Sequence, residues 1–324
     1  MNIDAEKAVA ALRDLLRNAV PVAETDDVAL AALWVLQAEM LGLPEFGIRM
    51  LRRDLDRLAG VDPAGSTPSD DDAAIGSVDA TGVPGVVALA TAVRRARRSV
   101  EAHGLAIIGI RGAGALGILG LAARSLAADG AVALLAAQSP ASVAPWGAHT
   151  VAIGTNPLAV AVPRADAPPL VIDYATSALT LAAVREARAS GARLPEGGAV
   201  DADGASTTDP DAVAALLPAG LVGSLTGLVV ELLAGVAVGG RVTDPQLPSS
   251  RGALLIAFDP ARAGGADTAA AASALDRDWR GAGGHLPARF DVLATDTADL
   301  PGSVDLGGDD VAWLRDTASG AARA

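Results

Sequence analysis

Residues 104–120 read GLAIIGIRGAGALGILG, an apolar, glycine-rich stretch with a single charge, Arg111, at its centre. The stretch is shorter than the ~20 apolar residues that a membrane-spanning helix needs. An apolar run that ends in several glycines and then resumes is typical of a buried strand, a tight turn and a helix. The segment therefore predicts a buried strand, a glycine turn and a helix in a soluble α/β fold.

The rest of the chain predicts the same fold class. The first sixty residues repeat apolar positions at helical spacing, and a turn-forming, acidic stretch follows them at 60–75. Beyond it, helix-like and strand-like runs alternate, as in an α/β core. Strands are predicted at LAIIGI, AVALLAA, LAVAVP, LVIDY and ALLIAF, and helices at 5–20, 28–41, 48–58, 84–102, 118–127, 178–190, 210–217, 224–236 and 267–280. Three parts are expected: a helical part at 1–75, an α/β core at 76–259, and a C-terminal return segment at 260–324, whose last forty residues look irregular.

The charge balance limits the classes of partner. The net charge is −13 and the chain has no long basic run, so neither nucleic acid nor an anionic membrane is expected as a partner. The lack of cysteine excludes disulfides, thiolate nucleophiles and cysteine-based metal sites. No spacing of His, Asp or Glu predicts a metal site either. The N-terminus has no signal-peptide pattern, so a cytoplasmic location is expected.

The hexapeptide GAGALG at 112–117 matches the G-x-G-x-x-G pattern of dinucleotide-binding Rossmann folds. It follows a predicted strand and precedes a predicted helix, which is the context that this pattern requires. However, the next strand ends in Gln138, Ser139 and Pro140, where an acid should follow for the ribose hydroxyls. No second mononucleotide-binding half follows. The match is therefore a weak indication of a Rossmann fold.

Four later motifs are more specific, and they occur in this order: APWGAHTVAIGTNPLAVAVP at 144–163, VIDYATS at 171–177, RLPEGGAVDADGASTTDP at 193–210 and LPAGLVGSLTGLVVELLAG at 217–235. Together they resemble the malate/L-lactate dehydrogenase family that is unrelated to the Rossmann lactate dehydrogenases. Its members include sulfolactate and ureidoglycolate dehydrogenases and Δ1-piperideine-2-carboxylate reductase. The resemblance implies an α/β fold with a non-Rossmann mixed sheet and helical N- and C-terminal parts. It also implies a homodimer and NADH or NADPH as cofactor.

The resemblance implies the cofactor and substrate residues as well. The D-x-A-T-S loop contacts the cofactor in this family, which transfers to Asp173, Ala175, Thr176 and Ser177, although Thr176 and Ser177 also fit a plain helix N-cap. A family Lys-Gly pair falls on Val222 and Gly223, and the chain near Pro287 and Arg289 is expected to close over the cofactor. Thr155 and Asn156 are expected beside the nicotinamide and the substrate.

The family's first helical region normally contains G-H-x-S-H-G-x-x-R, whose second histidine is the proposed proton donor and whose arginine suits a substrate carboxylate. The matching stretch here begins at Gly42 and has Glu45 and Phe46 at the serine and histidine positions, with Arg49 as the arginine. A second family histidine, in an H-x-G-x-x-G turn, falls on Gly112. The expected histidine donor is therefore absent.

These residues predict an NAD(P)H-dependent oxidoreductase that reduces a small carboxylate-bearing imine (ketimine) or 2-oxo acid. A protonated imine is already electrophilic, and a nearby carboxylate stabilises its cation, so Glu45 favours the imine. Arg49 is expected to bind the substrate carboxylate bidentately, which makes Glu45 and Arg49 the catalytic candidates. Two alternatives stay open: Glu45 can point to solvent, and the chain can be an inactive homologue that serves as a binding scaffold.

Overall fold

A computed structural model describes residues 1–61, 73–241, 251–294 and 296–321 of the chain. Within these ranges the elements are β1 (Asn2–Asp4), α1 (Ala5–Ala19), α2 (Thr25–Met40), α3 (Ile48–Leu58), β2 (Ile75–Asp79), α4 (Gly85–His103), β3 (Leu105–Ala113), α5 (Leu119–Ala128), β4 (Val132–Ala137), β5 (Leu158–Val162), β6 (Leu170–Tyr174), α6 (Leu181–Ser190), β7 (Ala199–Val200), β8 (Ala215–Leu216), α7 (Gly220–Val230), β9 (Arg251–Phe258), α8 (Thr268–Gly281), β10 (Ser303–Asp305) and α9 (Gly308–Ala321). None of the helices in these ranges combines the length and the hydropathy that a bilayer crossing requires.

The three N-terminal helices form where the sequence predicts them. Helix α1 is capped by Asp4, whose side chain accepts a hydrogen bond from the backbone N–H of Lys7 at 2.9 Å. Its inner face buries Val9, Leu12 and Leu16, which recur at helical spacing. Helix α2 packs against both α1 and α4, and α4 packs on β3. The N-terminal helices are thus fixed to the sheet through α4.

The central sheet has six strands in the order β2-β3-β9-β4-β5-β6. Strands β2 and β3 pair in parallel, and all other neighbours pair antiparallel. Strand β9 lies between β3 and β4, so these two strands are not neighbours as they would be in a Rossmann unit. The mixed, non-Rossmann sheet expected from the family resemblance is confirmed, and the Rossmann interpretation of GAGALG is wrong.

Two predicted features differ from the structure. The helix predicted at 210–217 is wrong, because Ala215 and Leu216 form β8, which pairs with β7. The segment lies between Pro210 and Pro218 and is too short for a stable helix. The C-terminal segment is not wholly irregular, since β10 pairs with β1 and α9 packs on α1. The three-part division of the chain stays a prediction.

Helix α7 continues into a π-helical turn at Glu231–Val236, and this turn packs against β9. Gly252 is where the two elements come closest, because a methyl group built on it would overlap the backbone carbonyl oxygen of Ala234. A backbone atom cannot rotate away as a side chain does, so the contact requires glycine. The β9 position therefore accepts no side chain.

We expect Gly252→Ala to lower the free energy of unfolding by about 3 kcal/mol or more, because one strand or the π-helical turn must shift. Denaturant unfolding followed by circular dichroism measures the change. The matched control is Gly281→Ala at the end of α8, where an added methyl group meets no atom within 4 Å. Equal stability of the two variants would contradict this account of the contact.

Candidate active site

A cavity of about 470 Å³ opens between α3 with the turn before it, the glycine turn after β3, the loops after β4 and β6, the first half of α6 and the start of β9. Its volume lies within the usual range for small-molecule sites. Of the residues predicted from the sequence, five line it: Glu45, Thr155, Asp173, Ala175 and Arg289. The structure thus brings together residues from the N-terminal helices and from the core.

Glu45 lies in a short 3-10 turn, Pro44–Phe46, and its side chain is 11 % exposed. Arg53 places Nη1 3.0 Å from the Oε2 atom of Glu45, and Arg49 places Nη1 3.6 Å from Oε1. Both arginines belong to α3, so the helix holds the carboxylate at the cavity wall. The structure does not favour the alternative in which Glu45 points to solvent.

Arg49 does not line the cavity, although it contacts Glu45. Its Nε lies 3.5 Å from Asp310 at the start of α9, so the guanidinium faces the C-terminal helix. Counted from Gly42, the nine-residue family pattern ends at Met50, which does line the cavity. The arginine position of the pattern is therefore occupied by methionine, and Arg49 is one residue early.

Two glycines of GAGALG lie where neighbouring atoms of the protein leave no room for a side chain. A methyl group on Gly114 would overlap the Asp54 carboxylate, and one on Gly112 would lie 2.7 Å from Oγ1 of Thr81. The Asp54 carboxylate is buried and accepts hydrogen bonds from the backbone N–H of Gly85 at 2.8 Å and of Ala115 at 3.3 Å. The close approach of Asp54 requires glycine at 114, and backbone φ angles of 69° and 80° favour glycine at 112 and 117.

Asp173 is the next-to-last residue of β6 and lines the cavity. Its Oδ2 accepts a hydrogen bond from the backbone N–H of Gly120 at 2.9 Å, and Arg289 donates to its carbonyl oxygen at 3.3 Å. Burial raises the pKa of the Asp173 carboxyl, and the Gly120 N–H and the Arg289 charge offset only part of this rise. An acid of this kind keeps its proton at higher pH than an exposed aspartate does.

The other cofactor candidates, Thr176, Ser177, Gly223 and Pro287, do not line the cavity. Thr176 donates through Oγ1 to the Thr155 carbonyl at 3.1 Å, and Ser177 donates to Leu179 O. Helix α6 begins only at Leu181 and is capped by Thr180, so the Thr176 and Ser177 hydroxyls do not cap it. Gly223 packs against the carbonyl oxygen of Thr176, and Pro287 is not among the cavity-lining residues.

Thr155 and the neighbouring Asn156 face different surroundings. Thr155 lines the cavity, and its Oγ1 donates to the hydroxyl of Ser139 at 3.2 Å. Asn156 is fully buried with φ at 34°, where its side chain accepts from the Ser139 N–H and donates to Glu231 at 2.9 Å. Asn156 therefore holds the loop in shape and does not face the cavity.

Sequence analysis missed four arginines that line the cavity: Arg53, Arg57, Arg185 and Arg251. They lie on α3, α6 and β9, so no local spacing groups them. Arg53 pairs with Glu45, and the Arg57 Nε donates to Asp54 at 2.9 Å. A chain of net charge −13 thus has a cation-rich cavity.

Glu39 supports the turn at the cavity from behind. The carboxyl group is buried in α2 and accepts a hydrogen bond from the backbone N–H of Ile48 at 2.6 Å. Burial raises the pKa of Glu39 from 4.5 to about 7. Because the folded pKa is above the unfolded one, the contribution of Glu39 to stability is complete below pH 4.5 and is lost as the pH rises through 7.

We therefore expect the free energy of unfolding of the native protein to fall by about 3 kcal/mol between these pH values, as Glu39 ionises. Glu39→Gln should not show this fall, because glutamine still accepts the Ile48 bond and never ionises. Urea unfolding of native protein and variant at pH 5 and pH 8 measures the difference. Glu24→Gln, an exposed change just before α2, is the control. If the stability difference between the native protein and Glu39→Gln were the same at pH 5 and pH 8, the raised pKa of Glu39 would be contradicted.

Comparison with known proteins places the chain among related sequences. The sequence model of the malate/L-lactate dehydrogenase family matches residues 3–282. The (2R)-3-sulfolactate dehydrogenase (NADP(+)) of Chromohalobacter salexigens is 38 % identical over 186 residues, 54 % of this chain and 56 % of that protein. The Δ1-pyrroline-2-carboxylate/Δ1-piperideine-2-carboxylate reductase of Pseudomonas putida is 40 % identical over 182 residues, 54 % of this chain and 53 % of that protein. The chain spans about half the length of these curated relatives.

A solved structure extends the likeness over the whole fold. The Δ1-piperideine-2-carboxylate reductase from Pseudomonas syringae superposes with a TM-score of 0.80 at 29 % identity, covering 98 % of this chain and 99 % of that one. The helical N-terminal part, the mixed sheet and the C-terminal return are therefore features that the two proteins share. The fold expected from the sequence motifs is confirmed.

Proposed function

Because this chain belongs to the malate/L-lactate dehydrogenase family, we propose that it is an NAD(P)H-dependent oxidoreductase that reduces a small carboxylate-bearing ketimine or 2-oxo acid. The observation that supports this most is the pair of carboxyl groups in one cation-rich cavity, Glu45 held by Arg53 and Asp173 with a raised pKa. Two acids in different environments can perform different tasks in one site.

The cavity suits a nicotinamide dinucleotide. Its arginines provide charge for phosphate groups, and Tyr174, which is exposed and lines the cavity, provides a flat surface for a base. The hydroxyls of Ser139 and Thr155 can hydrogen-bond an amide. We expect Ala175, Arg289 and the backbone of Asp173, whose carbonyl oxygen accepts from Arg289, to hold the cofactor. When bound, the reduced nicotinamide supplies a hydride.

Arg53 is our candidate for binding the substrate carboxylate. Its guanidinium lines the cavity and has five N–H donors, of which Glu45 engages only some. Arg49 keeps an indirect role, because it contacts both Glu45 and Asp310 and so positions the Glu45 carboxylate. This assignment replaces the direct role of Arg49 expected from the sequence.

The two carboxyl groups suit two substrate classes. Reduction of a 2-oxo acid leaves negative charge on oxygen, so a nearby acid must donate a proton, and the raised pKa of Asp173 fits that task. A protonated ketimine needs no such donor, and the Glu45 carboxylate stabilises its cation. We favour the ketimine, because the family's histidine position is Phe46 and Glu45 lies beside it.

Titration with each reduced cofactor, followed by the fluorescence of the four tryptophans, tests the enzyme against the scaffold alternative. We expect saturation below about 1 mM for NADH or NADPH, the usual upper range for KM. Arg289→Gln should weaken this binding, whereas the exposed change Arg193→Gln should not. Failure of both cofactors to bind at about 1 mM would favour the scaffold.

We also propose that the protein is a homodimer and works in the cytoplasm. Helix α7 supports dimerisation, because Leu221, Val222, Leu225, Leu228 and Val229 form an exposed apolar face on it. Exposed apolar patches of this kind are typical of protein interfaces. A second copy of the same chain is the partner that the family resemblance implies.

We expect Leu225→Glu to convert the dimer to monomer, because a charge would be buried in the apolar contact. Light scattering at micromolar concentration measures the mass. Leu275→Glu, at an equally exposed leucine of α8, should leave the dimer intact. A native protein that is already monomeric would contradict the proposal.

A further inference from the structure

Three of the cavity arginines, Arg185, Arg251 and Arg289, have no carboxylate of the described ranges within 4.0 Å of the guanidinium. Arg289 donates a hydrogen bond to the carbonyl oxygen of Asp173, whereas the side chains of Arg185 and Arg251 donate none. Both side chains line the cavity. They come from the first half of α6 and from the start of β9, so the fold brings them together although they are far apart in the chain.

The charges around these arginines do not balance. Five guanidinium groups line the cavity, on Arg53, Arg57, Arg185, Arg251 and Arg289, with three acids, Glu45, Asp54 and Asp173. The excess is two positive charges. The three acids are already engaged: Glu45 by Arg53 and Arg49, Asp54 by Arg57 and two backbone N–H groups, and Asp173 by the Gly120 N–H. Arg185 and Arg251 therefore repel each other, and an anion between them would relieve this repulsion.

The directions of the pKa shifts of Arg251 and Arg185 agree with this charge excess. Burial lowers the pKa of the Arg251 guanidinium, and the charges of Arg57 and Arg185 lower it further, against the attraction of Asp54. Partial burial, Arg53 and Arg188 likewise lower the pKa of Arg185, against the attraction of Glu45. Each cation would be more stable beside an added anion.

We propose that Arg185 and Arg251 form a subsite for a doubly charged oxyanion group of the ligand that occupies this cavity. A planar guanidinium binds such oxygens with paired hydrogen bonds, and the excess of two charges matches a dianion. The group is either a phosphoryl group of the cofactor or a second acidic group of the substrate. This inference rests on the proposed function, since it names the charge of a ligand for the same cavity.

Isothermal titration of the cofactor-free protein with inorganic phosphate, and with acetate as the singly charged reference, tests the subsite directly. We expect phosphate to bind more tightly than acetate, and Arg185→Gln and Arg251→Gln to weaken phosphate binding by about tenfold each. The matched control is Arg188→Gln, one turn along α6, where the side chain pairs with Asp211 outside the cavity. Should Arg251→Gln not fold, Arg185→Gln on the exposed side of α6 provides the test alone.

Equal binding of phosphate and acetate, or identical phosphate binding by Arg185→Gln and Arg188→Gln, would overturn the subsite. Titration with two further ligands shows whether the group bound there belongs to the cofactor or to the substrate. A weaker affinity of Arg185→Gln for NADPH or NADH assigns the subsite to a cofactor phosphate, and a weaker affinity for malonate with unchanged cofactor binding assigns it to the substrate. Neither result requires turnover. A protein that binds phosphate through Arg185 and yet reduces no substrate would refute the proposed function and leave the subsite standing.

Discussion

Asp54→Ala is expected to lower the free energy of unfolding by about 3 kcal/mol and to disorganise the cavity. The Asp54 side chain is 4 % exposed, and its two oxygens accept from the Gly85 N–H, the Ala115 N–H and the Arg57 Nε. Helix α4 has no side-chain cap of its own, so Asp54 caps it from α3. Its loss leaves two buried N–H groups and one guanidinium without an acceptor.

Denaturant unfolding gives the stability change, and phosphate or cofactor titration gives the effect on the cavity. Asp56→Ala is the control, because this aspartate is exposed two residues further along α3. We expect it to change stability by less than about 0.5 kcal/mol. Similar stability of the two variants would show that Asp54 does not join α3, α4 and the glycine turn as described.

Asp173→Asn is expected to lower kcat for 2-oxo acids by about 10²–10⁴, the usual contribution of a general acid. Asparagine keeps the size of the side chain and can still accept the Gly120 bond, but it has no acidic proton. Reduction of a protonated ketimine should change far less, because that substrate brings its own proton. Stopped-flow or steady-state assays of both substrate classes measure the contrast.

Glu45→Gln is expected to give the opposite selectivity, with the larger loss for the ketimine. Asp166→Asn, at an exposed position between β5 and β6, controls for a general effect of removing a carboxylate. Equal losses on both substrate classes in Asp173→Asn would contradict its role as the donor. Full ketimine activity in Glu45→Gln would remove Glu45 from the mechanism.

Apolar patterning predicted most of the core. Strands β3, β4, β5, β6 and β9 lie where uninterrupted apolar runs predict them, because a strand that is largely buried must be apolar over its length. Strand β2, with the sequence IGSVD, was missed because it lies at the sheet edge and mixes polar and apolar residues. Pairing order is set by contacts between distant residues, so the insertion of β9 between β3 and β4 is not visible in local patterns.

The site was predicted only where a motif marks it. The D-x-A-T-S and GTNP motifs located Asp173 and Thr155, and the turn at Glu45 was located by its glycines. Arg185 and Arg251 have no such marker, because they meet only after α6 and β9 have folded around the cavity. The position of a residue around α3 also decides whether it lines the cavity. A shift of a single residue on α3 separates Met50, which lines the cavity, from Arg49, which does not.

The central claim is that the cavity reduces a carboxylate-bearing ketimine or 2-oxo acid with NADH or NADPH. A steady-state assay of cofactor oxidation by the native protein tests it most directly, with cyclic ketimine acids and 2-oxo acids as substrates and each cofactor in turn. We predict turnover with at least one cofactor, with a higher kcat/KM for the ketimine acid than for the 2-oxo acid. Turnover confined to 2-oxo acids would refute the preference for an imine. No cofactor oxidation with either substrate class, by protein that binds the cofactor, would contradict the proposed function.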